Sequence, residues 1–174
     1  MTVVFANRQR TKKIHLRLMK QMVKALLADL EIAKAELEIN LITTPAITRL
    51  NGKFLRHAGS TDVITFDYTG NVAPASRLHQ SACSRAGGAT LHGEIFICVD
   101  EAVLQARRFR TSWQLEIIRY LVHGVLHLVG HDDSGNRERR KMKREESRLL
   151  RELSRRFSLA QLARADKLSM CKNH

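Results

Sequence analysis

The sequence predicts an α+β domain: a small mixed β-sheet with helices packed around it. Three observations carry this. Short alternating or β-branched runs fall early in the chain, long apolar repeats of helical period fall late, and 174 residues suffice for one core but not comfortably for two. The whole of 1–174 is therefore expected to be a single domain. Hydrophobic residues are 44% and charged residues 27% of the chain, the profile of a globular protein. Thirty Lys and Arg against 17 Asp and Glu leave a formal charge of +13, which makes a polyanion the default partner. Aromatics are only 5%, too few for a protein that grips single strands mainly on aromatic platforms.

Val3–Phe5 is β-branched and aromatic and predicts the first strand. Ile14, Leu18, Met22, Leu26 and Leu30 recur every four residues between lysines, an amphipathic helix of four to five turns. Glu36–Ile42 alternates polar and apolar, a half-buried strand. Thr44-Pro45 reads as a cap followed by a first helical turn, with the helix continuing through Ile47 and Leu50 to Phe54. Thr61–Tyr68 is the clearest strand of the chain. Residues 69–92 are rich in Gly, Ser, Ala and Pro without period, and predict a long mobile loop. Gly93–Val99 is the next strand. Helices follow at Glu101–Arg110, Trp113–Val129 and Asn136–Arg156, and residues 157–174 are read as a C-terminal tail.

The last of these helices carries ten Arg and Lys against four Glu, with Met142, Leu149, Leu150 and Leu153 as the apolar seam by which it docks. Its exposed basic face, Arg139, Arg140 and Lys143 in particular, is the candidate surface for a polyanion's phosphates. A solvated charged face is the plainer explanation of the same pattern.

Cys83, Cys98 and Cys171 are odd in number and widely spaced, which fits neither a disulfide framework nor a thiolate zinc site. The N-terminus has the wrong order of charge and apolarity for a leader. The longest uncharged apolar stretch, Tyr120–His131, is too short to cross a bilayer. These features predict a cytoplasmic protein with no membrane partner.

The chemistry concentrates at Leu121–Asp133. His123 and His127 are four apart in a run that is otherwise apolar, so on a helix they share one face a turn apart. Gly130 suits a helix stop, after which the reversed chain can bring Asp133 over the same face. Two imidazoles and a carboxylate leave one tetrahedral position free, the pattern of a catalytic rather than a structural zinc. One zinc per chain on His123, His127 and Asp133 is the expectation, with His131 as the alternative third ligand. Zinc proteases place a Glu directly after the first His as general base, but here that residue is Gly124, which cannot move a proton. A metal-dependent hydrolase of something other than peptides survives.

Leu121–Asp133 resembles the HGxLHLxGYDH signature of the YbeY family of bacterial endoribonucleases. The resemblance extends to Leu50-Asn51, to Ser60–Phe66 (family pattern roughly PTDVLSF) and to Gly93–Cys98 (family GDIxIC). It implies a zincin-like α+β fold with the metal on a central helix. It also implies zinc-dependent cleavage of single-stranded RNA, not DNA, in ribosomal RNA processing, including maturation of the small-subunit 3′ end and ribosome quality control. Two departures are visible. The last family histidine falls on Asp133, whose charge would temper the Lewis acidity of the metal. The family arginine six residues before the Thr of the strand motif falls on Leu55, which turns attention to the neighbouring Arg56 and His57 as the catalytic groups over the scissile phosphate. A second reading is a non-enzymatic RNA- or ribosome-binding factor with a structural zinc.

Overall fold

Alternation along the second strand explains the architecture. In the computed structural model, residues 1–54, 61–69 and 90–163 are described. Arg56, His57, most of the loop assigned to 69–92 and the chain after residue 163 lie outside them. The strands are β1 (Thr2–Asn7), β2 (Lys34–Ile42), β3 (Val63–Asp67) and β4 (Thr90–Cys98), in the sheet order β1-β2-β4-β3. The β1–β2 and β2–β4 pairs are parallel and β3–β4 is antiparallel, so the sheet is mixed. On β2, Ala35, Leu37, Ile39 and Leu41 are buried in the main core while Glu36 and Glu38 are exposed. This period of two is what a sheet covered on one face requires.

Five helices follow the predicted order: α1 (Leu16–Asp29), α2 (Thr44–Phe54), α3 (Val99–Phe109), α4 (Trp113–Leu128) and α5 (Asn136–Arg156). Helix α4 lies at the centre, packed on β3, β4, α3 and α5, with Ile117, Ile118, Leu121, Val122, Val125 and Leu126 buried. Helix α2 sits on the opposite face of the sheet, where Ile42, Ile47, Ile64 and Cys98 form a second, smaller cluster. Among the described residues no helix is long and apolar enough to cross a membrane.

Several boundaries differ from the sequence reading, each for a physical reason. Ile14 lies outside α1 and pairs instead with Ala163, and Leu30 is the C-cap of that helix. Thr44 is the first helical residue rather than the cap. The Thr43 carbonyl accepts from Ala46 and Ile47, and the Thr44 N–H donates to Asp100 Oδ2 at 2.8 Å. Strand β4 starts at Thr90, inside the segment assigned to the loop, because Thr90, Leu91 and His92 continue the ladder opposite Lys34, Ala35 and Glu36. Residues 159–162, assigned to the tail, form a 3-10 turn whose Leu162 is in the main core.

Candidate metal centre

The centre is built where α4 ends. Ser112 caps its start, accepting from the Leu115 N–H at 3.2 Å. At the other end the His131 N–H donates to the Leu126 carbonyl and the Gly130 N–H to the His127 carbonyl, both at 2.9 Å, a Schellman motif. Gly130 takes φ +91°, which only glycine adopts without strain. The turn ties off α4 and sends the chain back over the helix face that carries the histidines. Asp132 then fixes the reversal by accepting from the Ser134 N–H at 3.0 Å.

His123 Nε2 and His127 Nε2 face each other at 3.1 Å, with the rings 82° apart. A carboxylate oxygen of Asp133 joins them, all three ligand atoms lying within 4.8 Å of one another. Each Nδ1 is held from behind. His123 Nδ1 is 3.2 Å from Glu146 Oε2, and His127 Nδ1 is 3.1 Å from the carbonyl oxygen of His131. A carboxylate and a carbonyl can only accept, so both Nδ1 atoms carry protons and both Nε2 atoms present lone pairs to one another. Two lone pairs at that distance repel unless a proton or a metal ion lies between them. Tetrahedral ligands at zinc–nitrogen distances would stand about 3.3 Å apart, so the pair is spaced for such an ion. The donor set fits a metal.

Glu146 is the residue the sequence reading passed over. It belongs to a chain of polar contacts that runs away from the metal face. Its Oε1 accepts from Arg119 at 3.3 Å, Arg119 Nε donates to Glu116 Oε2 at 3.2 Å, and Glu116 Oε1 accepts from the Thr111 hydroxyl at 2.5 Å. Glu116 and Glu146 are both buried. The signal was present: Glu146 interrupts the apolar seam of α5 between Met142 and Leu149, and a carboxylate there needs a partner. Its hydrogen bond raises the His123 pKa above the ordinary imidazole value, burial opposing it, and the Asp62 and Asp133 charges add to the rise.

The histidines and Asp133 line a cleft of about 340 Å³, whose opposite wall is the Thr61–Thr65 segment with the Asp62 carboxylate. Asp62 was not singled out from sequence. Gly124 packs against the sheet, where a Cβ would stand 3.0 Å from Ile95 Cγ2 and 3.1 Å from Thr65 Cγ2. The glycine lets α4 lie close on β3 and β4, and a side chain there would crowd both strands.

The structure brings Asp133, not the His131 imidazole, to the histidine pair. His131 contributes its carbonyl, and its ring acts on Glu145 instead. Arg139, Arg140 and Lys143 are exposed on α5. Arg139 Nε donates to the Asp133 carbonyl at 3.2 Å, which ties the start of α5 to the loop bearing the ligand.

Comparison with known proteins agrees with this construction. A family model described as endoribonuclease YbeY matches residues 4–154. A curated relative named endoribonuclease YbeY from Myxococcus xanthus is 34% identical over 136 residues, 78% of this chain and 42% of the relative. One of the same name from Salinibacter ruber is 35% identical over 114 residues, 66% of this chain and 68% of the relative. The chain thus spans less than half the length of the first of these and about two thirds of the second. A Thermotoga maritima protein solved in solution has the same fold, with TM-score 0.60 at 18% identity, covering 98% of this chain and all of that one. With the histidine helix, its glycine turn and the strand motifs in their places, and a family match running from β1 into the end of α5, the chain belongs to the endoribonuclease YbeY family.

Proposed function

We propose that this chain is a zinc-dependent endoribonuclease that cleaves single-stranded RNA. We further propose that it acts in the cytoplasm on ribosomal RNA, in small-subunit 3′ end maturation and ribosome quality control. The observation that carries this reading is the gathering of two Nε2 atoms and one carboxylate oxygen within 4.8 Å of one another at the wall of an open cleft. His123, His127 and Asp133 would hold one zinc. Three protein donors among the described residues favour a catalytic over a structural ion, since a structural site is closed by four. A bound zinc would supply Lewis acidity, the chemistry that activates water and polarises a phosphoryl group at neutral pH.

The protein residues divide the remaining work. Glu146 fixes the tautomer and orientation of His123, and the His131 carbonyl does the same for His127. Asp133 brings a negative charge that partly neutralises the ion. Arg56 and His57 are proposed to stabilise charge at the scissile phosphate. Arg139, Arg140 and Lys143 are proposed to attract the RNA backbone without reading its sequence.

The test is metal analysis with a parallel RNA cleavage assay. Wild-type protein should carry about one zinc per chain and cut single-stranded RNA, whereas His127→Ala should do neither while remaining folded. Zinc-loaded wild type that binds RNA without cutting it would favour the non-enzymatic factor.

A further inference from the structure

A second cavity, of about 550 Å³, shares the Asp62 wall of the metal cleft and opens beside it. Gln105, Phe109, Arg119, Tyr120 and Lys143 line it as well. Tyr120 is buried, with 4% of its surface exposed, and its hydroxyl has no hydrogen-bond partner among the described residues. Leaving a phenol oxygen buried and unpaired costs stability, and a Phe would bury the same ring without that penalty. Packing therefore gives no reason for the hydroxyl. Phe109 is the converse, a large apolar ring 63% exposed, with the Arg108 guanidinium 5.5 Å from its centroid.

We infer that this cavity is a nucleobase subsite, which holds the base of a nucleotide adjacent to the cleaved phosphate. This rests on the RNA-cleaving reading above. Phe109 offers the face on which a base stacks, and Tyr120 would donate its otherwise unpaired O–H to the base edge once the base parts the side chains that close over it. The Gln105 amide can both donate and accept toward the same edge. Lys143, exposed beside the cavity, can meet the sugar-phosphate.

A phosphate is the wrong occupant, because the Asp62 and Glu116 carboxylates are part of the wall. Those carboxylates, Glu101 and above all burial push the Tyr120 phenol well above its ordinary value, so it stays protonated and acts as a donor. The two spaces share Asp62 as a lining residue and so lie side by side. A single strand seated with one phosphate over His123 and His127 can therefore place a neighbouring base here. The subsite also gives a positively charged enzyme, whose attraction to RNA is otherwise indifferent to sequence, a way to prefer some bases at one position.

The experiment compares zinc-loaded wild type, Tyr120→Phe and Phe109→Ala in three measurements. These are thermal unfolding, binding of a mixed-sequence 2′-O-methyl RNA that cannot be cut, and the base profile around cleavage sites in a random-sequence RNA pool. Both variants should retain about one zinc, and Tyr120→Phe should melt at or above the wild-type temperature. Binding should weaken about threefold to tenfold for Tyr120→Phe and about fivefold to a hundredfold for Phe109→Ala. The base preference at one position beside the cleaved bond should flatten in both.

Wild-type affinity and an unchanged profile in the two variants would overturn the subsite while leaving the nuclease reading intact. Tyr120→Phe that melts lower yet binds and cuts as wild type would assign the hydroxyl to packing and overturn it too. Zinc-loaded wild type that neither binds nor cuts RNA would remove the nuclease reading and the subsite with it.

Discussion

Helices α4 and α5 lie against each other and are built on opposite plans. Helix α4 is apolar nearly throughout, and its few polar side chains are its chemistry: His123 and His127 on the cleft, Glu116 in the contact chain behind it. Helix α5 is charged nearly throughout, and its chemistry is the one charge that is buried, Glu146 on the seam between Met142 and Leu149. In both helices the informative residue is the exception to the local pattern. A polar group among apolar neighbours needs a partner, and a charge turned inward needs one more urgently. The exposed arginines and lysines of α5 conform to their pattern, so each should matter little alone.

The largest effect should come from α4. His127→Ala removes one of the two nitrogens that face each other, and should cost more than about a hundredfold in zinc affinity, beyond the range typical of outer-shell partners. Competition titration against a chromogenic chelator measures this, and circular dichroism checks that the fold persists.

Next in size is the buried exception on α5. Glu146→Ala frees the His123 ring and should weaken zinc binding by about tenfold to a hundredfold. Glu146→Gln, which keeps an acceptor oxygen, should fall between that variant and wild type. If Glu146→Ala binds zinc as wild type does, the buried carboxylate serves packing and the comparison between the helices fails.

Proton competition sharpens the same contrast. The His123 pKa is raised above its ordinary value of 6.5, so its protonated form is favoured in the metal-free protein. The His123–Glu146 pairing therefore stabilises the metal-free fold below about pH 6.5 and is lost as pH rises through the raised value. Zinc needs the deprotonated ring and does the opposite. Zinc-loaded protein should lose its melting advantage over metal-free protein as pH falls. Proton competition should set in at higher pH in wild type than in Glu146→Gln.

The smallest effect belongs to the exposed charges. Replacing Arg139, Arg140 and Lys143 together by Gln should flatten the slope of log affinity against log salt by about one to two units, at about 0.7 per single-strand phosphate neutralised. Zinc content should barely change. An unaltered slope would make α5 a solvated face and place the RNA path elsewhere.

The same contrast explains what the sequence made legible. Helix α4 could be read to within a residue, with its histidines and its terminal glycine, because period, ligand spacing and stop signal are all local. The seam of α5 was legible for that reason, but the partners of Glu146 were not, since Arg119 and His123 lie 27 and 23 residues away. Asp62 was hidden in a strand motif, because only the sheet carries that segment across from α4. The early start of β4 depends on the parallel ladder to β2, and the place of Ile14 depends on Ala163. Each miss was a long-range pairing invisible in a local window. Gly124 was read correctly as unable to act as a base, but its positive role, the close approach of α4 to Ile95 and Thr65, appears only in three dimensions.

His123, His127 and Asp133 are proposed to hold one zinc. X-ray absorption at the zinc edge of the loaded protein tests this most directly, with Asp133→His measured in parallel. Wild type should show two imidazoles and oxygen donors, all at about 2.0–2.2 Å, and Asp133→His three imidazoles. Sulfur at about 2.3 Å, or an imidazole count that stays at two in Asp133→His, would contradict it.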